Sequence, residues 1–440
     1  MRGREVMKMR WLCVPLLLCG LFSGSASADN RVIVRTTLGL QGLQQFCHPI
    51  LFVQTCTVVR GLGDPLNQLF LVTTPLDLTT FLNLLGNVEG ILDAEADQVV
   101  SLIGGLNQLG TPPDGLSDTA PHRYYRTNVW NGYVIQPAAQ IVRVSEAQSI
   151  FHVSGAGIVA DIDTGVDPNH PALKNVLLWG YDFTRNQPGG SEMNDFAGPS
   201  PSGSTSNIAQ VNQSTAAVLD QSTAAVLDGD PQYAAFGHGT MVLGVVHLVA
   251  PRAKLLPLKA FASNGSGFLS DILRAVYFGV QNGANVINMS FDFKTNSAEF
   301  TKALDYANQN SVICAASAGN DGMQEIVYPA ALQNDVMGVA STSYTDTRSS
   351  FSNYGNAIVW VAAPGESIIS TYPFGTYAAS SGTSFSAPFV SGAAALLLDM
   401  DKGTGQALAA NAIANAVPVG NGMGNGRIDL VLALQSSANK

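Results

Sequence analysis

The stretch VADIDTGVD, Val159–Asp167, places three carboxylates on an apolar run that ends in a turn. A short apolar run bounded by a turn is typical of a strand buried inside a parallel sheet. The stretch therefore predicts such a strand, with Asp161 and Asp163 near its carboxyl end and Asp167 in the turn. It leaves open which of the three carboxylates takes part in chemistry.

Similar apolar runs recur along residues 129–435 and alternate with helix-like segments. The runs include AKLLPLKAF, ANVINMSF, SVICAASAG and IVWVAAPG, and the helix-like segments include LSDILRAVYFGVQNG and SAEFTKALDYANQN. This alternation predicts an α/β fold in which helices cover both faces of a mostly parallel central sheet. In such sheets functional sites gather at the carboxyl ends of the strands.

The composition excludes some classes of protein. Charged residues make up 12% of the chain, against about 25% in an average soluble domain, and apolar residues are abundant, which argues against disorder. The net charge is -10 and Lys and Arg are not clustered, which argues against a nucleic-acid partner. We expect a folded monomer.

The first 28 residues have the pattern of a secretory signal peptide. Basic residues precede an apolar run, Trp11–Phe22, and the small-residue triplet Ala26–Ala28 follows it. The run is shorter than the roughly 20 residues of a membrane-spanning helix, so no membrane span is expected. A lipid anchor at Cys19 is disfavoured, because Leu18 stands where such signals carry a small residue. The prediction is a secreted, extracellular protein.

The rest of the chain divides into two folded parts and a connection. Residues 29–105 contain strand-like runs (VIVRTT, LFLVTT, QVVSL) and amphipathic segments, which predict a small α+β domain. Residues 106–128 are rich in Gly, Pro and polar residues and are predicted to be a linker and processing region. Residues 129–435 form the large α/β domain.

The large domain contains a polar insertion, residues 184–233, in which QSTAAVLD occurs twice in tandem. A single duplication is far below the three repeats that a solenoid needs. We interpret it as a surface-loop duplication; the alternative is a loop that shapes substrate access.

Three cysteines follow the signal sequence. Cys47 and Cys56 lie close together in an exported segment and could form a disulfide. Cys314 stands in the apolar run SVICAAS, which predicts a buried packing thiol.

Two further motifs carry side chains suited to catalysis. Ser384, in GTSFSAPFV, opens an apolar helix-like run, so backbone N–H groups there could stabilise an oxyanion. Pro388 is expected in the first turn of that helix, where proline is tolerated. His238 lies between two glycines, which allow close approach of other backbone. Each feature alone is weak, but Asp163, His238 and Ser384 occur in the order of one well-known type of catalytic triad.

Four motifs together make the chain resemble the subtilisin family of serine proteases: VADIDTGVDPNHPAL, GHGTMVLG, AASAGN and GTSFSAPFVSGAAAL. The resemblance covers residues 129–432 and implies a subtilisin-like three-layer sandwich that cleaves polypeptide substrates. It implies that Asp163, His238 and Ser384 are the catalytic triad, and that the Asn320 side chain and the Ser384 N–H form the oxyanion hole. Residues 29–105 resemble, more weakly, the propeptide of secreted subtilases, an intramolecular inhibitor that is removed by self-cleavage.

The resemblance separates the three carboxylates of the opening stretch. Asp163 becomes the triad acid. Asp161 lies on the same face of the strand, where the family usually has an apolar residue, so it needs a hydrogen-bond partner or a proton. Its role is either structural or a tuning of the triad. Asp167 is expected to cap or shape the turn.

Substrate contacts are expected from Ser290, Phe291, Asp292, Gly319 and Val327. The chain departs from the family here, because Phe291, Asp292 and Phe293 replace a Leu-Gly-Gly edge and Val327 stands where a smaller residue is common. We hypothesise a preference for small or medium apolar side chains before the scissile bond. Cleavage mostly after Lys or Arg would refute this hypothesis and indicate Asp292 as a counter-charge.

No cofactor is expected to be required. The loop that often binds calcium after the catalytic histidine is absent from the run GTMVLGVVHLVAPRAKLL. Glu192, Asp195 and Asp230 of the insertion could bind a hard cation, but the favoured interpretation is a solvated loop.

The leading functional prediction is a secreted serine endopeptidase that acts through an acyl-enzyme. One alternative is a catalytically silent, subtilisin-like binding protein with an altered groove. The other is a transpeptidase or ligase that uses the same triad.

Overall fold

The computed structural model describes residues 29–48, 55–102, 113–196, 209–210 and 231–438. The predicted signal peptide, residues 1–28, and the tandem QSTAAVLD repeat lie outside the described residues. So does Asp230.

The N-terminal unit is a four-stranded antiparallel sheet with two helices. Its elements are β1 Asn30–Thr36, α1 Gly39–Phe46, β2 Thr57–Gly61, β3 Leu69–Thr74, α2 Leu78–Leu85 and β4 Ile91–Ala96. The strand order is β2-β3-β1-β4. Alternating residues of β1 pack on opposite faces: Val32 and Val34 lie in a small core of this unit, whereas Ile33 joins a core cluster of the large domain.

The remaining elements form the large domain, apart from β5, which precedes it in the chain. The strands are β5 Val99–Ser101, β6 Pro121–Tyr124, β7 Thr127–Trp130, β8 Ile158–Asp163, β9 Tyr181–Asp182, β10 Gln187–Pro188, β11 Ala209–Gln210, β12 Lys254–Lys259, β13 Ser266–Phe268, β14 Val286–Met289, β15 Ile313–Ser317, β16 Met337–Thr342, β17 Val361–Pro364, β18 Ile368–Tyr372 and β19 Thr376–Ser380. The helices are α3 Asn131–Ile135, α4 Pro137–Ile141, α5 Val144–Phe151, α6 His238–Val249, α7 Leu269–Gln281, α8 Ala298–Gln309, α9 Thr383–Met400, α10 Gln406–Ile413 and α11 Leu430–Ala438.

The central sheet has eight strands in the order β10-β9-β12-β8-β14-β15-β16-β17. All of its neighbours pair in parallel except β9 and β10. One face packs on α6 and α9 and the other on α7 and α8, with alternate residues of each strand facing each layer. The predicted α/β class, with a mostly parallel sheet between helical layers, is confirmed.

The helix α9 is, within the described ranges, the one helix long and apolar enough to cross a membrane. Nearly nine-tenths of it is buried inside the fold, in the core cluster that also holds α6. Its apolar character is therefore explained by its central position in the helical layer.

The N-terminal unit docks on the large domain by capping two of its helices. The Asp97 carboxylate accepts hydrogen bonds from the N–H and hydroxyl of Ser270, at the start of α7, both at 2.8 Å. Glu95 accepts from Ser297 and from the N–H of Ala298, at the start of α8. Carboxylates at helix amino termini accept hydrogen bonds from free N–H groups and interact favourably with the positive end of the helix dipole. This docking is therefore favourable.

The predicted linker, residues 106–128, differs from the structure over its described part. From residue 113 onward the chain packs on the large domain: Leu116 is buried in its core, and the Tyr124 hydroxyl donates to the Leu248 carbonyl at 2.5 Å. Two strands, β6 and β7, form a hairpin in this region. The apolar and aromatic side chains between the Gly and Pro residues give this segment enough surface to bury.

Candidate active site

Asp163 is the last residue of β8, in the middle of the central sheet, and it is fully buried. Its Oδ1 accepts from the Thr164 N–H at 2.6 Å. Burial inside the sheet leaves this carboxylate only partners at the carboxyl edge of the strands, where the chain turns through Gly165.

His238 is the first residue of α6 and lies directly against Asp163. Its Nδ1 is 2.6 and 2.7 Å from the two oxygens of that carboxylate. Since a carboxylate oxygen is an acceptor, Nδ1 must carry the proton, and Nε2 is left as the acceptor. Nε2 is buried and makes no hydrogen bond with the described residues. The Asp163 carboxylate thus holds the His238 ring through Nδ1 and leaves Nε2 without a hydrogen-bond partner among the described residues.

The short distance between Asp163 and His238 depends on glycine. A Cβ on Gly239 would lie 2.1 Å from the Gly165 carbonyl oxygen, and real Cβ atoms do not approach so closely. The glycine after His238 therefore lets α6 start against the turn that follows Asp163. This close approach is the structural reason for the glycines around His238.

Ser384 is the second residue of α9, and its hydroxyl donates to the Ser290 carbonyl at 3.0 Å. The next side chain, Phe385, packs against the His238 ring with centroids 5.6 Å apart. The structure therefore brings Ser384 to the triad region, with its Oγ turned towards Ser290 and not towards His238 Nε2.

Pro388 lies in the second turn of α9, not in the first as expected from the sequence. Because proline has no N–H, it cannot bond to the carbonyl four residues earlier, which is that of Ser384. The Ser290 hydroxyl donates to this carbonyl instead, at 2.8 Å. The proline thus leaves the Ser384 carbonyl free for a hydrogen bond that ties the start of α9 to the end of β14.

Asn320 follows β15 and points at the same helix start. Its Oδ1 accepts from both the N–H and the hydroxyl of Thr383, at 2.8 and 2.9 Å. Two donors on one oxygen fix the orientation of the amide, so its NH₂ group faces away from Thr383 and is available as a donor. The N–H of Ser384 lies in the first turn of α9, where helix N–H groups have no carbonyl a turn earlier.

Four of the remaining predicted substrate residues lie on two segments near Ser384, which we call the walls. Ser290, Phe291 and Asp292 continue from β14, and Gly319 precedes Asn320. A Cβ on Gly319 would be 3.4 Å from Asp292 Cγ, so the Asp292 carboxyl group lies against the other wall at Gly319. Val327 is fully buried and packs in a separate small cluster.

Burial raises the pKa of Asp292 to about 7. The nearby Asp321 carboxylate raises it further, while the Lys294 ammonium opposes the shift. The carboxyl group is therefore half-ionised near neutral pH.

The strand β5 occupies the groove between these walls and β13. Ser101 pairs with Ser266 of β13 on one side and with Asp292 on the other, both antiparallel. The Leu102 N–H then donates to the Gly265 carbonyl at 2.9 Å. The segment that joins the N-terminal unit to the large domain thus lies in the groove as an extended peptide.

Asp161 is fully buried two residues before Asp163, on the same strand face. Asn288 donates to its Oδ1 at 2.9 Å, and Oδ2 has no partner within the described residues. Burial, followed by the neighbouring Asp163 charge, raises the pKa of Asp161 well above its ordinary value. The raised pKa favours the neutral acid, for which burial costs less than for the carboxylate. Asp167 caps its turn and accepts from the N–H groups of Asn169 and Phe374.

The structure joins Cys47 and Cys56 in a disulfide within the N-terminal unit. Cys314 is a buried free thiol in β15, and burial raises its thiol pKa above the ordinary value. A buried thiol with a raised pKa is a weak nucleophile, so Cys314 has the properties of a packing residue.

A buried charged cluster beside Asp163 was not expected from the sequence. The solvated-loop interpretation is wrong for Glu192 and Asp195. Glu192 is fully buried, and the half-buried Asp195 accepts from the ammonium of the buried Lys259 at 2.8 Å. A lysine inside the apolar run LLPLKAF was a signal of such a partner; nothing local marked Glu192. Across the described part of the chain, no three His, Cys, Asp or Glu side chains are grouped as metal ligands.

Comparisons with known proteins show which family this chain belongs to. The model of the subtilase family, Peptidase_S8, matches residues 155–426. Thermitase of Thermoactinomyces vulgaris is 34% identical over 305 residues, which cover 68% of this chain and 96% of thermitase. A thermophilic serine proteinase of Bacillus sp. (strain AK1) is 33% identical over 313 residues, 71% of this chain and 67% of that protein.

A solved structure of a cold adapted subtilisin-like serine proteinase is also similar. Its TM-score is 0.50 at 27% sequence identity, and the match covers 63% of this chain and 89% of that one. Asp163, His238, Asn320 and Ser384 all lie within the region that the family model matches.

The neutral state of Asp161 yields a test of stability. Its pKa in the folded protein is raised above the ordinary 3.8, so folding loses free energy as the pH rises above about 4, where the unfolded chain ionises. Asp161→Asn mimics the neutral acid and should raise the melting temperature at pH 7 and change it little at pH 4. Melting curves should be recorded in a Ser384→Ala background.

Asp167→Asn is the matched control, because that carboxylate accepts two backbone hydrogen bonds. It should lower the melting temperature at pH 7. A shift of the same size at both pH values for Asp161→Asn would contradict a raised pKa.

Proposed function

Since the chain belongs to the subtilase family of serine endopeptidases, we propose that it hydrolyses peptide bonds through an acyl-enzyme formed on Ser384, with His238 as base and Asp163 as the acid that orients it. The observation that supports this most is the pair of short contacts between His238 Nδ1 and Asp163, which leave Nε2 unpartnered beside α9.

In the first step the Ser384 hydroxyl leaves the Ser290 carbonyl by rotation of its side chain and donates to Nε2. As Oγ attacks the substrate carbonyl, its proton passes to Nε2, and Asp163 stabilises the imidazolium. The tetrahedral oxyanion accepts from the Asn320 NH₂ and the Ser384 N–H. Collapse of this intermediate returns the proton to the departing amine and leaves the acyl-enzyme. Water, deprotonated by the same imidazole, then releases the acid.

We further propose that the N-terminal unit is the intramolecular inhibitor of this site. Its support is the antiparallel pairing of Ser101 with both Ser266 and Asp292, which fills the groove with an extended segment. The chain direction carries this segment from Asp292 towards Ser290, whose carbonyl contacts the Ser384 hydroxyl. A peptide that pairs in this way lies in the position of a substrate.

Export, oligomeric state and cofactor use complete the proposed function. We propose that residues 1–28 direct export and that the enzyme acts outside the cell as a monomer. Catalysis by the three named side chains needs no cofactor, and calcium is proposed to be dispensable.

The mechanism is tested by two substitutions. Ser384→Ala should abolish hydrolysis of denatured casein and labelling by a fluorophosphonate. Asn320→Ala should keep the labelling but lower kcat about 10²–10³-fold, because one oxyanion donor is lost. Product masses on a peptide substrate distinguish hydrolysis from ligation. Normal activity of Ser384→Ala would contradict the triad, and a parent chain that is neither labelled nor active would favour a catalytically silent binding protein.

The position of β5 predicts where the precursor is first cut. Because pairing in the groove extends to Leu102, we expect cleavage within residues 103–112 and not later in the sequence. Mass spectrometry of the N-terminal fragment after expression measures this. The Ser384→Ala chain should stay whole. A first cut beyond residue 112 would contradict the proposal that β5 lies in the groove as a substrate does.

Asp292 predicts a pH-dependent side-chain preference. Its carboxyl group lies against the wall at Gly319 near Ser384, and the groups around it are the Asp321 and Glu325 carboxylates and the Lys294 ammonium. With a pKa of about 7, it is mostly neutral at pH 6 and mostly charged at pH 8. Cleavage after small or medium apolar residues should dominate a peptide library at pH 6, and the share of cleavage after Lys or Arg should rise at pH 8.

Asp292→Asn should remove this pH dependence and keep the apolar preference at both pH values. A parent profile that does not change with pH would refute the role of Asp292. A profile dominated by Lys or Arg already at pH 6 would refute the apolar preference itself.

A further inference from the structure

Glu192 is a buried carboxylate that contacts both of the segments carrying the acid and the base. Its Oε2 accepts from the Thr164 hydroxyl at 2.9 Å and from the Gly237 N–H at 2.8 Å. Its Oε1 accepts from the Thr240 hydroxyl. The side chain is fully buried, so these three donors are not exchanged for water.

Each donor lies next to a proposed catalytic residue. Thr164 follows Asp163, while Gly237 precedes His238 and Thr240 lies on the first turn of α6. Glu192 therefore links the end of β8 to the start of α6 through one carboxylate.

Two return bonds close the linkage. The Thr164 hydroxyl, which donates to Glu192, accepts from the Gly239 N–H at 3.0 Å. The Thr240 hydroxyl, which also donates to Glu192, accepts from the Asp167 N–H at 2.8 Å. Because each threonine hydroxyl has one proton, donation to Glu192 fixes its lone pairs towards the opposite segment. The carboxylate thus sets the direction of both cross-links.

Glu192 is itself held in place by its own backbone. Its N–H donates to the Val166 carbonyl at 3.1 Å, and the Val166 N–H donates to the Gly190 carbonyl at 2.9 Å. A Cβ on Gly165 would lie 2.9 Å from the Glu192 nitrogen, so this turn passes Glu192 without a side chain between them. The carboxylate is therefore attached to the same turn that it braces.

We propose that Glu192 is a positioning residue of the active site, which holds the turn after Asp163 and the start of α6 at the spacing that the Asp163–His238 hydrogen bond requires. It touches neither substrate nor reacting atoms. The proposal rests on the function proposed above and adds a residue that the triad motifs do not contain.

The charges around Glu192 favour this role near and above neutral pH. The Lys259 ammonium is the nearby cation; it bonds to the Thr164 and Phe261 carbonyls and to Asp195. Asp161, Asp163 and His238 are the other titratable groups on the adjoining elements. Burial raises the pKa of Glu192 to about 7, against the opposing effect of its three hydrogen bonds and Lys259. Only the ionised carboxylate can accept from all three donors at once.

Glu192→Gln tests the proposal, because the amide keeps the size but turns an NH₂ group towards donors. We expect kcat, counted per fluorophosphonate-labelled site, to fall about 10- to 100-fold with KM unchanged, as small misplacements of catalytic groups do. Counting labelled sites restricts the measurement to folded enzyme. Asp429→Asn, a buried carboxylate that accepts from Arg143 on the far side of the domain, is the matched control and should keep both constants.

A second variant and a second readout cover a failure of Glu192→Gln to mature. Thr164→Val removes one donor at constant size and should lower kcat in the same way by a smaller factor. In the full-length Ser384→Ala chain, the downfield proton resonance of His238 Nδ1 should move or broaden on addition of Glu192→Gln.

A kcat equal to that of the parent, or a loss no larger than in Asp429→Asn, would overturn the positioning role. An unchanged Nδ1 resonance would do the same. These failures are distinct from failure of the proposed function, which would appear as activity of Ser384→Ala itself.

Discussion

The hydrogen bond between Asp163 and His238 is the interaction on which the rest of the site depends. Both groups are buried, and the bond joins the end of a central strand to the first residue of a helix. Strand and helix can approach this closely because Gly239 has no side chain where α6 meets the Gly165 carbonyl. Glycine loses more conformational entropy on folding than other residues, and this cost is accepted here because it lets an acid and a base meet away from water. Ser384 needs no such approach, because the start of α9 already lies beside them.

Burying so many acids in one place creates an electrostatic problem, and the structure solves it differently for each carboxyl group. Asp163 is paired with an imidazole, whereas burial, and then the neighbouring Asp163 charge, raise the pKa of Asp161 and favour its neutral form. Glu192 is stabilised by three hydrogen bonds and by the Lys259 ammonium, which itself bonds to Asp195. The same kind of side chain thus serves as acid partner, neutral packing group and brace, depending on its donors.

Much of this could be predicted from the sequence, for identifiable reasons. The α/β class follows from apolar runs that alternate with helices, and the family follows from four motifs in order. The buried position of Glu192 could not be predicted, because its three donors come from segments 28 to 48 residues away in the chain and the residues after it read as a polar loop. The second-turn position of Pro388 was missed for a similar reason. Only the tertiary contact from Ser290 shows how the unbonded Ser384 carbonyl is satisfied.

The groove connects this chemistry to the N-terminal unit. The strand β5 pairs with one edge of β13 and with Asp292, and strand edges of this kind bind extended peptides. In the full chain β5 pairs with both sides, and Val100 is buried in the same apolar cluster as Phe291. The residues that depart from the family at this edge therefore contact the chain's own N-terminal segment as well as any substrate. Selection at the edge must act on both together, because a side chain that changes which peptides fit also changes how firmly the N-terminal unit is held.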